Sequence, residues 1–229
     1  MLDERFAKGE IDEANRITHI DESRTRMTKV IEVFADVVCP FTHVGLKRLV
    51  AYRDEMGRDD VGLRVHAWPL ELVNGEALSR ELLTEEIAEL RASVASDLFT
   101  GFDSALFPMT SLPALALANR AYGISTRCGE LVSLALRDAL FEFGKDLSDP
   151  AQVARIGAAF GVSEPDAVDG AAVLADLEAG RVRGVIGSPH FFVDGAGFFC
   201  PTLSIQRVDG HMEITFDTEG FTTFIGRCF

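Results

Sequence analysis

The residues with the most chemistry to offer stand in "CPFTHVG", positions 39 to 45, directly after the apolar run "VIEVFADVV". Cys39 fits the N-cap of a helix and Pro40 its first position. A helix N-terminus carries partial positive charge and unpaired backbone N–H groups, and both favour a thiolate. Such settings lower a thiol pKa from about 8.5 to roughly 3.5–7.5. Thr42, one helical turn on, can aim its hydroxyl at the sulfur and donate a hydrogen bond. His43, next along the helix, can stabilise the thiolate, relay protons or simply face solvent. Taken alone, C-P-x-T also fits a small buried residue at a strand end.

A second set lies far downstream, in "RGVIGSPHFFVDG" (183 to 195). Ser188-Pro189 directly precedes a strand pattern. Proline lacks the N–H that a central ladder needs, so it marks where the chain enters the sheet, with a cis bond as one option. His190 points into the sheet or into the site, depending on the pleat. "HFFVDGAGFFC" reads as a β-hairpin turning near 194 to 197, which returns Cys200 opposite about Phe191. A disulfide from Cys39 to Cys200 needs Cα atoms within about 7 Å; the plainer reading is a cysteine in an edge loop. Cys128 and Cys228 read as structural or incidental. No His, Cys or Asp spacing suggests a metal.

These residues need elements to hold them. "KVIEVFADVV" (29 to 38) is a β-branched apolar run suited to a strand buried on both faces. A helix over "FTHVGLKRLVAY" and a strand over "VGLRVHAWPL" (61 to 70) complete a βαβ unit. From about 76 to 180 the pattern is helical. "EALSRELLTEEIAELRASVASDL" has helical spacing with many Glu, and "SLPALALANRAYG" and "CGELVSLALRDALFEFG" each end in a glycine stop. "SDPAQVARIGAAFG" starts with Asp149 as N-cap, then Pro150 and Gln152, and stops at Gly161. One or two short helices follow, then the hairpin, and "GFTTFIGRCF" closes the chain as a short helix. A sheet opened by βαβ is thus interrupted by a helical stretch and completed by a hairpin.

Composition bounds the function. With 36 acidic against 22 basic residues the net charge is −14, and no basic patch stands out. Nucleic acid and anionic membrane are therefore poor partners, and the charge serves solubility. No stretch approaches the roughly 20 apolar residues of a membrane span. The N-terminus "MLDERFAKGEIDEANR" lacks the apolar core of a secretory signal, so a cytoplasmic location is expected. In a reducing compartment, scattered cysteines are more often free or catalytic than paired. Residues 1–26 read as a polar appendage. Their "LDERFAKGEIDEAN" resembles the short helical motif called the short C-terminal domain, while Met27 offers a second start immediately before the first strand.

Three blocks in order, "FADVVCPFTHVG", "LRDALFEFGKDLSDPAQVARIGAAFGV" and "GVIGSPHFFVDG", resemble the DsbA-like branch of the thioredoxin superfamily. The resemblance covers roughly residues 28 to 229. It implies an α/β thioredoxin fold with a large all-helical insertion between the βαβ half and the C-terminal hairpin half. The implied division is 27–75 and 181–229 for the thioredoxin domain and 76–180 for the insertion. It further implies Cys39 as nucleophile and Pro189 as a cis-proline beside it. Ser188 tunes the sulfur and the substrate contact, Pro40 and Phe41 sit in the dipeptide that tunes redox behaviour, and His43 and His190 stand near substrate. Asp36 fits the motif but serves equally as a capping or solubility residue. "DLFTGFDSALFPMTSLPALALA" would overhang the site, with some of Phe99, Phe102, Phe107 and Met109 lining an apolar groove or else filling the insertion core.

The departure from that family is Thr42, where a dithiol enzyme carries its resolving cysteine. Cys39 cannot then cycle alone. A monothiol thiol–disulfide oxidoreductase or isomerase is expected, with protein or small-molecule disulfides as partners. Glutathione or another small thiol would serve as co-substrate, or Cys200 as a distant resolving thiol. Thr42 also resembles the glutathione-binding branch of kappa-class glutathione transferases and 2-hydroxychromene-2-carboxylate isomerases, whose motif hydroxyl holds a glutathione sulfur. That leaves a glutathione-dependent transferase or isomerase as one alternative, and a non-catalytic, chaperone-like peptide binder as another.

Overall fold

The computed structural model describes residues 27–208 and 211–229; the N-terminal appendage and its motif lie outside them. A four-stranded sheet has the order β2-β1-β3-β4. Strand β1 (Lys29–Ala35) pairs in parallel with β2 (Val61–Ala67) and antiparallel with β3 (His190–Val193), which pairs with β4 (Ala196–Phe199). Its central place explains its continuous apolar run, for Ile31, Val33, Phe34 and Ala35 are all buried.

Helix α1 (Pro40–Glu55) crosses from β1 to β2, with Cys39 as its N-cap and Pro40 at its start. Strand β1 ends at Ala35, three residues short of the expected 38. Asp36 stops it: its carboxylate accepts the Val38 N–H at 3.3 Å, and a side chain that captures a nearby amide competes with the ladder. Strand β2 also stops early, at Ala67, because Leu70 already begins the short helix α2 (Leu70–Asn74).

Helices α2, α3 (Arg80–Ser93), α4 (Leu112–Ile124), α5 (Thr126–Phe141), α6 (Pro150–Ala159) and α7 (Ala167–Arg183) lie between the two halves of the sheet. Four of these helices, α3, α5, α6 and α7, are capped at their starts by the side chains of Ser79, Ser125, Asp149 and Asp166. Gln152 faces inward and is buried. Helix α7 closes one face of the sheet over Phe34, Trp68 and Phe192. It approaches closely at Gly180, where a Cβ would lie 2.5 Å from the Trp68 ring. The opposite face holds Leu46 and Leu49 of α1 against Ile31, Val33 and Phe191, with Phe224 and Ile225 of the closing helix α8 (Thr218–Cys228).

The β3–β4 turn is Asp194-Gly195, both at positive φ (49° and 82°). That is the two-residue hairpin geometry that Asp-Gly favours. A second hairpin, β5 (Leu203–Val208) and β6 (His211–Phe216), forms a separate two-stranded sheet. The sequence patterns above assign no element there. It packs against α3, and Leu203 and Ile214 join the insertion core together with Val37, Val38 and Val44.

Candidate active site

The end of β1, the start of α1 and the chain before β3 converge on Cys39. Its backbone is extended (φ −83°, ψ 116°), and its sulfur faces the Ser188-Pro189 loop. The Ser188–Pro189 peptide bond is cis. Cys39 Sγ lies 3.2 Å from the Ser188 carbonyl oxygen, a contact in which the thiol donates. Ser188 Oγ accepts the Asp36 N–H at 3.0 Å and lies 2.9 Å from Thr42 Oγ1. Whichever hydroxyl donates within that pair, the other keeps its proton for the Cys39 sulfur.

Burial pushes the Cys39 thiol up from its ordinary value; hydrogen bonds from the Ser188 and Thr42 side chains and the Thr42 amide oppose that, and the Glu86 carboxylate reinforces it. This reverses the expectation of a thiolate stabilised by its helix. Cys39 is 3% exposed, and the water it has lost outweighs the helix terminus. The Ser188 carbonyl, an acceptor, also matches a thiol rather than a thiolate.

Beneath the sulfur lie two buried charged groups. Asp36 is wholly buried, which excludes a solubility role. Its carboxylate accepts from Leu70 N at 2.6 Å and Ser111 Oγ at 3.2 Å besides Val38 N. Burial raises it to about 6 against these hydrogen bonds. Arg137, on α5, donates to the Asp36 carbonyl at 3.1 Å and to Ser133 O and Oγ. It is 1% exposed and exerts a favourable field on both Asp36 and Cys39. Arg137 sits within the apolar stripe of "LALRDALF", and a charge inside such a stripe is the signal that marks it in the sequence.

Cys39 borders a cavity of about 220 Å³, walled by Pro40, Phe41, Leu70, Leu78, Phe199 and Ile205, with Ser188, Glu86 and Cys200. Of the residues singled out in the sequence, Cys39, Pro40, Phe41, Ser188 and Cys200 therefore meet on one space. Thr42 is buried just behind them. Pro189 adjoins it, and its carbonyl takes the Cys200 N–H at 3.0 Å. Cys200 thus stands beyond Phe199, which pairs with His190, while Phe191 pairs with Phe198. The expected register opposite Phe191 is corrected by two residues, because the hairpin turn takes only Asp194 and Gly195. Cys39 and Cys200 are both free thiols. Burial, and then the charge of Cys39, push Cys200 up to about 12.

Both histidines turn elsewhere. His43 is buried between Phe99 and Phe141, and its Nε2 lies 2.8 Å from Glu142. Burial lowers its pKa against the pull of Glu142, so a neutral ring donating Nε2–H is the state that fits. Burial works to raise Glu142, but hydrogen bonds from His43, Thr100 and Phe99 hold it down at about 2. His190 stacks on Phe192 at 4.6 Å, and its Nδ1 accepts the Ile186 N–H at 3.3 Å. Strand alternation sets it with Phe192 on the face covered by α7, away from α1.

The expected groove is corrected as well. Phe99 and Phe102 pack on Phe141 in the insertion core, and Phe107 and Met109 line a separate small recess over Asp36. None of the four borders the Cys39 cavity; Leu78 and Glu86 occupy that wall instead. Glu86 has no mark in the sequence, because α3 carries several similar glutamates and only the packing of the β5–β6 hairpin selects one.

No protein-family model and no curated protein matches the sequence. Solved structures do match by fold. A cytosolic disulfide reductase, DsbM, from Pseudomonas aeruginosa superposes with a TM-score of 0.56 at 13% identity, over 86% of this chain and 97% of that one; a glutathione complex of the same reductase is also similar. A protein described as a putative protein disulfide isomerase from Nitrosomonas europaea gives 0.56 at 12% identity, over 86% and 97%. A 2-hydroxychromene-2-carboxylate isomerase gives 0.53 at 16%, over 74% and 88%. At these identities the likeness concerns architecture: the chain has the DsbA-like thioredoxin fold with its helical insertion.

Proposed function

We propose that this chain is a thiol–disulfide oxidoreductase or isomerase that works through the single thiol of Cys39. The carrying observation is the place of its sulfur: at the N-terminus of α1, 3.2 Å from the Ser188 carbonyl, on the wall of a cavity of about 220 Å³. After losing its proton, Cys39 attacks one sulfur of a disulfide RS–SR′. The Cys39–SR bond forms, the S–S bond breaks, and R′S⁻ leaves and takes up a proton. A second thiolate then attacks the mixed disulfide, releasing R in a new disulfide and returning Cys39 as thiolate. Thr42 donates its hydroxyl hydrogen to that thiolate each time it forms. The edge before Pro189 is the place for an extended substrate, beside Pro40 and Phe41.

The second thiol in this reading is external. Cys200 shares the cavity, but its burial raises the thiol and leaves less of it ionised than an ordinary small thiol in water. A reducing cytoplasm would supply such a thiol. The test follows adducts by intact mass after exposure to a small disulfide and then a thiol. Wild type and Cys200→Ser should both form and release one adduct, and Cys39→Ser none. An adduct that persists in Cys39→Ser would overturn the reading, and one that stalls in Cys200→Ser would make Cys200 the resolving group.

A second reading, a glutathione-dependent transferase or isomerase, rests on Thr42, whose hydroxyl is held toward a sulfur that need not be that of Cys39. Saturable glutathione binding that leaves no covalent adduct would favour it.

A further inference from the structure

We infer that the Cys39 cavity selects small disulfides and thiols bearing an amine close to sulfur, and disfavours anionic ones such as glutathione. This rests on the thiol-exchange reading above and names its substrate class. The cavity is walled by apolar groups and two thiols, and its one ionisable oxygen acid is Glu86. No Lys or Arg lines it. Glu86 is half-buried on α3, and its carboxylate takes part in no hydrogen bond or ion pair among the described residues. A carboxylate left without a partner against apolar walls is stabilised by whatever cation enters.

The groups that face Glu86 bear this out. From α1 comes Cys39, whose thiolate it opposes, and the hairpin after the cis-proline brings Cys200. From β5 comes Arg207, two residues beyond Ile205 on the same strand face, which acts on Glu86 through its field without pairing. Gln206 and its β6 partner Glu213 alternate to the other face. Burial raises Glu86 to about 7, with Arg207 opposing, so the carboxylate is neutral in mild acid and charged above neutrality. Selection for a cation should therefore strengthen as pH rises from 6 to 8.5.

Size points the same way. About 220 Å³ is below the roughly 300–1,000 Å³ of sites for drug-sized ligands. An aminothiol fits whole. A tripeptide thiol would have to leave much of itself outside and bring two carboxylates toward Glu86.

The test uses three symmetric disulfides of similar size: cystamine (cationic), bis(2-hydroxyethyl) disulfide (neutral) and dithiodipropionate (anionic). Rates of Cys39 adduct formation are followed by mass at 0.15 M salt, each divided by the rate of the same disulfide with 2-mercaptoethanol. At pH 8 cystamine should lead the neutral compound by about tenfold, and the neutral the anionic by a similar factor, the scale of one partly screened charge contact. Glu86→Gln should collapse the order toward unity, and in wild type the cystamine-to-neutral ratio should climb between pH 6 and 8.5. Equal normalised rates, a lead for the anionic compound, an order unchanged in Glu86→Gln, or a flat pH series would each overturn the charge selection alone. Failure of all three to modify Cys39 would overturn the thiol-exchange reading, and this inference with it.

Discussion

On the sulfur of Cys39 two opposed effects meet. The first turn of α1 and the Thr42 hydroxyl favour the thiolate; burial, the Ser188 carbonyl and Glu86 favour the thiol. Desolvation has the larger weight, so the resting residue is a protonated thiol. The rate of alkylation of Cys39 by iodoacetamide should accordingly keep rising through pH 9. A plateau near pH 7 would show that the helix terminus wins after all. Thr42→Val, which removes a donor to the charged form, should slow alkylation at pH 8.5 by about five- to tenfold, whereas Thr42→Ser should keep most of the rate.

Elements fix that balance through contacts some distance from the sulfur. The His43–Glu142 bond ties α1 to the end of α5, and Glu142 also accepts Phe99 N at 2.8 Å and both Thr100 N and Thr100 Oγ1 at 3.0 Å. One carboxylate thus holds the active-site helix, the end of α5 and the loop after α3 together. Its folded pKa is depressed to about 2, so its stabilisation is present above the ordinary carboxylate value and is lost as pH falls toward 2. Glu142→Gln, which weakens four charge-assisted bonds at a site only 14% exposed, should cost about 1–3 kcal/mol. Urea unfolding at pH 6 measures this; an unchanged midpoint would mean that the clamp contributes nothing.

Over the whole molecule, two buried acids work against the neutral-pH fold. Asp36 is raised to about 6 and Glu86 to about 7, both chiefly by burial. A raised carboxylate contributes stability that is complete below its unfolded value and is lost as pH rises through its folded value. A net charge of −14 adds self-repulsion in the same direction. The protein should therefore melt higher at pH 5.5 than at pH 8, with His43, whose pKa burial lowers, acting the other way and reducing the difference. An effect on the order of 2 kcal/mol corresponds to roughly 4–8 °C for a chain of this size. Glu86→Gln should recover part of the difference at pH 8. A melting temperature that is flat or higher at pH 8 would show that these acids are better solvated than their burial implies.

The order of elements, the N-cap at Cys39 with Pro40 behind it, the cap at Asp149 before Pro150, and a hairpin turn beginning near 194 are all legible in the sequence. Each depends on backbone rules that act over a few neighbouring residues. The second hairpin carries the same Asp-Gly signal in "LSIQRVDGHMEITF", but its place was not legible, since Leu203 and Ile214 meet the insertion core only in the folded chain. The direction of His43, the guanidinium of Arg137 beneath the sulfur and the place of Glu86 on the cavity wall were likewise settled by packing. Packing also raises the Cys39 thiol. Local pattern places a thiol at the start of a helix, and the family resemblance sets a Ser-Pro loop beside it. Which charges face that thiol and how much water it loses follow from tertiary packing, because desolvation and electrostatic fields are set by neighbours in space that lie far apart along the chain.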